Sequence, residues 1–208
     1  MKICLTSTGE LPPEELCLPF GEKEEERLAS IRSRDRRRES LCALWALRQL
    51  IGEHPPAILR SPSGKPYFED PSAPAFSLCH TGTWAAAVLG DGQSGEVGID
   101  LERVRPYPRA KQVAERFFTQ DQAREFSESG ETPLSFFRLW TKKEAVAKMN
   151  GIGLLAKDQA APAWTATYLL TSEKEVLLLT VCSEKAADGV SFHSVSEAFQ
   201  QFQIEELR

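Results

Sequence analysis

The sequence predicts an α+β protein made of two similar halves, residues 1–96 and 97–208. Three observations lead there. With 208 residues, 41% of them hydrophobic and 26% charged, the chain has the makeup of a globular protein that buries a full core. Helix-period patterning runs into strand-period patterning twice, 22–51 before 75–90 and 109–149 before 164–183. No strict sequence repeat accompanies this, so the likeness is one of element order.

Residues 2–6 read as a short strand, after which Pro12, Pro13 and Pro19 break the chain. One long helix is expected over about 22–51. It carries an arginine run, 27-RLASIRSRDRRRESLCALWALR-48, in an otherwise acidic chain. Such a run most often marks a solvated helix face, and otherwise a local anion site. The turn-rich stretch 52-GEHPPAILRSPSGKPYFEDPSAP-74 holds a candidate strand at 57–60. In 75-AFSLCHTGTWAAAVLG-90, two apolar runs flank His80-Thr81-Gly82-Thr83, the pattern of a hairpin. The segment 96-EVGIDLERV-104 alternates as a strand. Past Pro106 and Pro108, helix is expected through 109–126 and again over about 132–149. Two strands then flank the polar centre Ser172-Glu173-Lys174-Glu175. Residues 195–208 fit a strand, a short helix or a tail equally well.

A net charge of −5 argues against a dedicated nucleic-acid binder, because neutralising phosphates needs a basic surface. The five cysteines are an odd number, widely spaced and without a C-x-x-C pair, so they read as reduced thiols. No run approaches the roughly 18 apolar residues that span a membrane. A soluble, cytoplasmic, monomeric chain with neither a membrane nor a nucleic-acid partner is the expectation.

The helix 136-FFRLWTKKEAVAKMNGIG-153 poses a chemical question. At 100° per residue, Phe136, Leu139, Trp140, Val146 and Ala147 form one apolar arc, with Lys143 inside it and Glu144 at its edge. A Glu144–Lys148 pair at i, i+4, worth roughly 0.2–0.5 kcal/mol, explains two of these charges and leaves Lys143 without a role. A carboxylate facing a core needs a cation, hydrogen bonds or a metal. On the strand 97–103, Asp100 and Glu102 share the face opposite Val97, Ile99 and Leu101. With Glu144 they make three carboxylates able to converge on a hard divalent cation, although an Asp-x-Glu strand is more often a wet sheet face. Cys79 and His80 point to opposite faces and so form no dyad. His80, with Thr81 and turn N–H groups, suits a phosphate, and equally a surface turn.

Taken in order, Gly64-Lys65-Pro66, 76-FSLCHTG-82, 98-GIDLE-102, Phe117-Phe118, and 140-WTKKEAVAK-148 with Gly151 and Gly153 resemble the motif series of the Sfp-type 4′-phosphopantetheinyl transferases. The resemblance covers about residues 38–153. It implies a pseudo-twofold α+β fold with coenzyme A and Mg²⁺ in the cleft between the halves. It also implies transfer of the phosphopantetheine arm to a serine of an acyl, peptidyl or polyketide carrier protein, releasing adenosine 3′,5′-bisphosphate. By that carry-over Asp100, Glu102 and Glu144 hold the metal, Lys148 reaches the pyrophosphate and Lys143 supports the anionic cleft. His80, Thr81 and Cys79 lie at coenzyme A phosphate, and Gly64 and Lys65 line the nucleotide pocket. Ser40, with Arg36, Arg37 and Arg38 before it, meets the 3′-phosphate.

Two positions depart from the family pattern. Cys79 stands where a serine is common, and Gln122 stands where a glutamate is taken as the base for the carrier serine. An amide has no useful proton affinity. Either Asp121 or Glu125 substitutes, or the proton leaves by way of the metal site, or the protein binds coenzyme A or a carrier with impaired catalysis. On this reading a glutamate restored at 122 raises the rate.

Overall fold

A computed structural model of the chain describes residues 1–10, 19–154, 160–194 and 199–207. Pro12, Pro13 and Cys17 lie outside the described residues. The alternating stretches form two four-stranded sheets. The first, in spatial order β4-β5-β1-β9, contains β1 (Lys2–Ser7), β4 (Phe76–Thr81), β5 (Trp84–Leu89) and β9 (Ser191–Ser194). The second, in order β10-β7-β8-β6, contains β6 (Val97–Arg103), β7 (Trp164–Thr171), β8 (Val176–Ser183) and β10 (Gln203–Leu207). A two-stranded ribbon, β2 (Ile58–Arg60) with β3 (Pro66–Phe68), lies apart. Every pairing is antiparallel except β1 with β9.

The inner faces of the two sheets share one core: Ile3, Leu5, Ala86 and Val88 from the first, and Ile99, Leu101, Leu179 and Val181 from the second. Helices cover the outer faces. On the first sheet, α1 (Glu22–Ser30) and α2 (Arg34–Ile51) pack Leu28, Leu44 and Leu47 against Cys4, Ala87 and Leu89. On the second, α3 (Ala110–Phe117), α4 (Gln120–Glu128) and α5 (Pro133–Asn150) gather Phe126, Phe136, Phe137 and Leu139 over Leu178. This mixed architecture agrees with the α+β prediction.

Several boundaries differ from expectation, each for a local reason. The helix expected over 22–51 is two helices. Ile31 is extended, Ser33 caps α2 by accepting from the Arg36 N–H at 3.3 Å, and Arg37 Nη2 donates to the carbonyls of Ala29 and Ile31 at 3.0 and 2.9 Å. The helix expected over 109–126 breaks at Phe118. There Thr119 and Gln122 form a reciprocal capping box that starts α4. Residues 203–207 resolve as an edge strand on β7, while β3 and β9 carry no clear sequence signal.

On α5 the buried stripe also shifts from the expected arc. Phe136, Leu139 and Ala147 of that arc are buried, but Phe137, Thr141, Ala145 and Met149 are buried as well, whereas Trp140 and Val146 are half-buried. The Thr141 hydroxyl meets that of Thr180 on β8 at 2.8 Å, so a polar side chain sits inside without an unmade bond. Lys143 is consequently half-buried at the margin, where burial holds its ammonium below the usual lysine range.

Candidate active site

Because Val97, Ile99 and Leu101 fill the inter-sheet core, alternation turns Gly98, Asp100 and Glu102 toward α5. Asp100 is 6% exposed, and its Oδ1 accepts from Lys148 Nζ at 2.6 Å. Its Oδ2, equally buried, has no hydrogen-bond partner among the described residues. Glu102 lies farther along the strand, accepting from the Thr81 hydroxyl at 3.2 Å with Arg105 Nη1 at 3.5 Å. Glu144 stands one turn before Lys148 on α5 and faces the same region. Lys148 thus pairs with Asp100 across elements, not with Glu144 along the helix.

The electrostatics are those of crowded acids. Burial raises Asp100 above the ordinary carboxylate range despite the pull of Lys148. Burial, then the Asp100 charge, raises both Glu102 and Glu144. Lys148 shows the converse: burial opposes its charge, but Asp100 holds it above the usual lysine range. No three His, Cys, Asp or Glu side chains among the described residues lie close enough together to hold a metal ion. The expected trio therefore shares a face without forming a preassembled cage, since like charges keep apart and an ammonium sits where Asp100 would meet a cation. The donor set nonetheless fits a hard divalent ion: oxygen ligands only, raised pKa values throughout, and one buried carboxylate oxygen left unpartnered.

A cleft of about 490 Å³ opens between the elements of the two sheets. Ser40, Gly64, Lys65 and His80 border it from one side, and Glu144, Lys148 and Gly151 from the other. His80 Nδ1 lies 3.5 Å from Glu39, and burial keeps the imidazole below its ordinary pKa against that carboxylate's influence. Lys65 borders the cleft with its stem, while its ammonium reaches the Glu96 carboxylate and the Met149 carbonyl. Gly151 caps α5 with φ 65°, and a Cβ there would come within 2.9 Å of the Lys65 stem.

Other predicted residues lie elsewhere. Cys79 is 3% exposed in the inter-sheet core, where burial pushes its thiol up to about 12, so it does not line the cleft. Thr81 spends its hydroxyl on Glu102. Arg38 donates Nε and Nη2 to the Thr8 carbonyl at 2.9 and 2.8 Å, and Arg37 is tied to the end of α1. Arg36 is exposed. The guanidiniums that do border the cleft belong to Arg27 and Arg60. Arg60, at the end of a short strand before the Ser-Pro-Ser-Gly turn, escapes a reading of the sequence because an isolated arginine there carries no pattern. Gln122 Oε1 accepts the Thr119 N–H at 3.0 Å, so its amide serves the α4 cap. Asp121 pairs with Arg124 at 2.8 Å, and Glu125 pairs with Arg138.

Comparison with known proteins gives these features a context. Residues 96–203 match the family model described as the 4′-phosphopantetheinyl transferase superfamily. The chain is 32% identical over 133 residues to the 4′-phosphopantetheinyl transferase AcpT of Salmonella typhi, covering 62% of this chain and 67% of that protein. It is 31% identical over 146 residues to the 4′-phosphopantetheinyl transferase psf-1 of Bacillus pumilus, covering 60% and 59% respectively. To the 4′-phosphopantetheinyl transferase HetI of Nostoc it is 31% identical over 140 residues, covering 57% of each chain.

Proposed function

This chain belongs to the 4′-phosphopantetheinyl transferase superfamily, and from that premise we propose that it moves the phosphopantetheine arm of coenzyme A to a carrier-protein serine with Mg²⁺. The observation that carries the reading is the Lys148–Asp100 pair that ties α5 to β6, with Lys148 and Glu144 both bordering a cleft of about 490 Å³. The serine Oγ attacks the phosphorus bearing pantetheine, the bond from that phosphorus to the bridging oxygen breaks, adenosine 3′,5′-bisphosphate departs, and the serine proton is released to solvent. Asp100, Glu102 and Glu144 would hold the Mg²⁺, which when bound neutralises diphosphate oxygens. Lys148, which borders the cleft, is placed to donate to a phosphate oxygen beside it. His80, which borders the cleft, is placed to offer an imidazole N–H to phosphate.

On α4, Gln122 is held in the cap while Asp121 and Glu125 are paired with Arg124 and Arg138. A glutamate at 122 keeps the capping geometry, because its carboxylate accepts the same Thr119 N–H and is favoured at a helix N-terminus. This outcome differs from the one the family resemblance implies, under which a glutamate at 122 raises the rate. Gln122→Glu should change the transfer rate by less than about threefold, well short of the 10²–10⁴-fold that a positioned base supplies. A single-turnover assay near neutral pH checks this, and a rise into that range would mean the side chain leaves the cap.

The same cap favours a second reading, a protein that binds coenzyme A or a carrier without modifying it. Incubation with coenzyme A, Mg²⁺ and an apo acyl carrier protein separates the two. The carrier should gain the mass of one phosphopantetheine arm, and chelating the metal should stop that gain. Coenzyme A binding with no mass gain, on a panel of fatty-acid, polyketide and peptide carriers, would favour the second reading.

A further inference from the structure

Behind two arginines that border the cleft lies another buried carboxylate. Glu24 on α1 is 2% exposed. Its Oε1 accepts from Arg27 Nε at 2.9 Å, lies 2.7 Å from Arg27 Nη2, and accepts from Arg60 Nη2 at 3.0 Å. Its Oε2 accepts from Arg60 Nε at 3.2 Å. Arg60 Nη1 also donates to the Gly64 carbonyl at 3.0 Å, which fixes the plane of that guanidinium on the turn between β2 and β3. A helix and a ribbon distant in sequence are thus joined through one acid. Both arginines border the cleft, with side chains 28% and 30% exposed.

Each guanidinium has five N–H groups. Glu24 engages the Nε and Nη2 side of both, which among the described residues leaves the Arg27 Nη1 group and the outer Nη2 hydrogens available to a ligand. Two cations and one anion leave a local charge of +1, suited to a doubly charged phosphate ester. Without Glu24 the two guanidiniums would repel each other, and each would have to lose its own rotamer freedom on binding.

Resting on the reading of this cleft as a coenzyme A site, we infer that Glu24 is a positioning residue. It sets Arg27 and Arg60 to grip a terminal phosphate monoester, and so discriminates coenzyme A from its 3′-dephospho form. The alternative role of the same carboxylate has the opposite sign. If Glu24 only diluted the positive charge of the cleft, removing it would tighten phosphate binding.

Calorimetry of adenosine 3′,5′-bisphosphate and adenosine 5′-monophosphate, without metal, tests the inference on the full chain. Glu24→Gln should weaken the bisphosphate about tenfold, the worth of one charge-assisted hydrogen bond, and the monophosphate by less than about twofold. Arg60→Lys, which keeps the charge but loses the fork, should show the same selective loss and decides the question if Glu24→Gln fails to fold. Unchanged or tighter bisphosphate binding, or equal losses for both nucleotides, would overturn the positioning role while leaving the coenzyme A reading intact. A wild-type protein that binds neither nucleotide would overturn both.

Discussion

Glu144→Ala and Asp100→Ala should each lower metal-dependent phosphopantetheine transfer by at least about 10³-fold, since losing a ligand for the ion that neutralises the diphosphate costs several kcal/mol of transition-state stabilisation. The two variants should differ in stability. Glu144 is half-buried and repelled by Asp100, so its removal relieves a strain and should leave the melting curve within about 0.5 kcal/mol of wild type. Asp100 is the counter-charge of Lys148, and its loss leaves a partly buried ammonium unpaired. Asp100→Ala should therefore be the less stable protein, by about 1–2 kcal/mol after allowing for the third of Lys148 that solvent reaches. Carrier mass shift reports the first effect and urea unfolding the second. Full transfer activity in either variant would remove the carboxylates from the metal site, whatever the unfolding curves show.

What the sequence discloses and what it hides divide along a physical line. Patterns with a period are legible. Alternation places Asp100 and Glu102 on one face of β6, and the apolar runs about His80 mark the β4–β5 hairpin. Punctuation by single side chains is harder to read, even where its signature is present. Thr119-Gln-Asp-Gln122 is a capping box, and its glutamine passes for a vacant base position when only one role is asked of it. The strand β9 is four residues long and pairs in parallel with β1 from the far end of the chain, a partnership that no local window reports. The arginines show the same limit. Arg36, Arg37 and Arg38 are conspicuous as a run, yet Arg37 and Arg38 are used by backbone carbonyls. The two arginines at the cleft are those that a buried glutamate selects. Charge density in sequence says little about direction, because direction is set by what each side chain is tied to.

The glycine of Gly98-Ile-Asp-Leu-Glu is where fold and site depend on the same atom. Gly98 lies two residues before Asp100 on the face of β6 that meets α5. A Cβ there would approach the Met149 N–H nitrogen to 2.8 Å and the Ala145 carbonyl oxygen more closely still. Both neighbours are helix backbone, so neither can swing aside as a side chain would. Only glycine permits this contact, and the contact seats Ala145 and Met149 against Cys182, the residue paired with Gly98 on β8. Gly98→Ala must therefore lift α5 as a unit. Overpacking of this kind reaches the upper end of its usual range, so unfolding in urea should show a loss of about 3 kcal/mol or more. The variant that remains folded should also lose function, because Glu144 and Lys148 flank Ala145 and Met149 and rise with them. A displacement of about 1 Å between reacting groups and their supports can cost about 10²-fold in rate. The measurement is transfer at a temperature where the variant is fully folded. Wild-type stability together with a wild-type rate would mean that α5 does not bear on β6 at this point, and the approach of Lys148 to Asp100 would then need another cause.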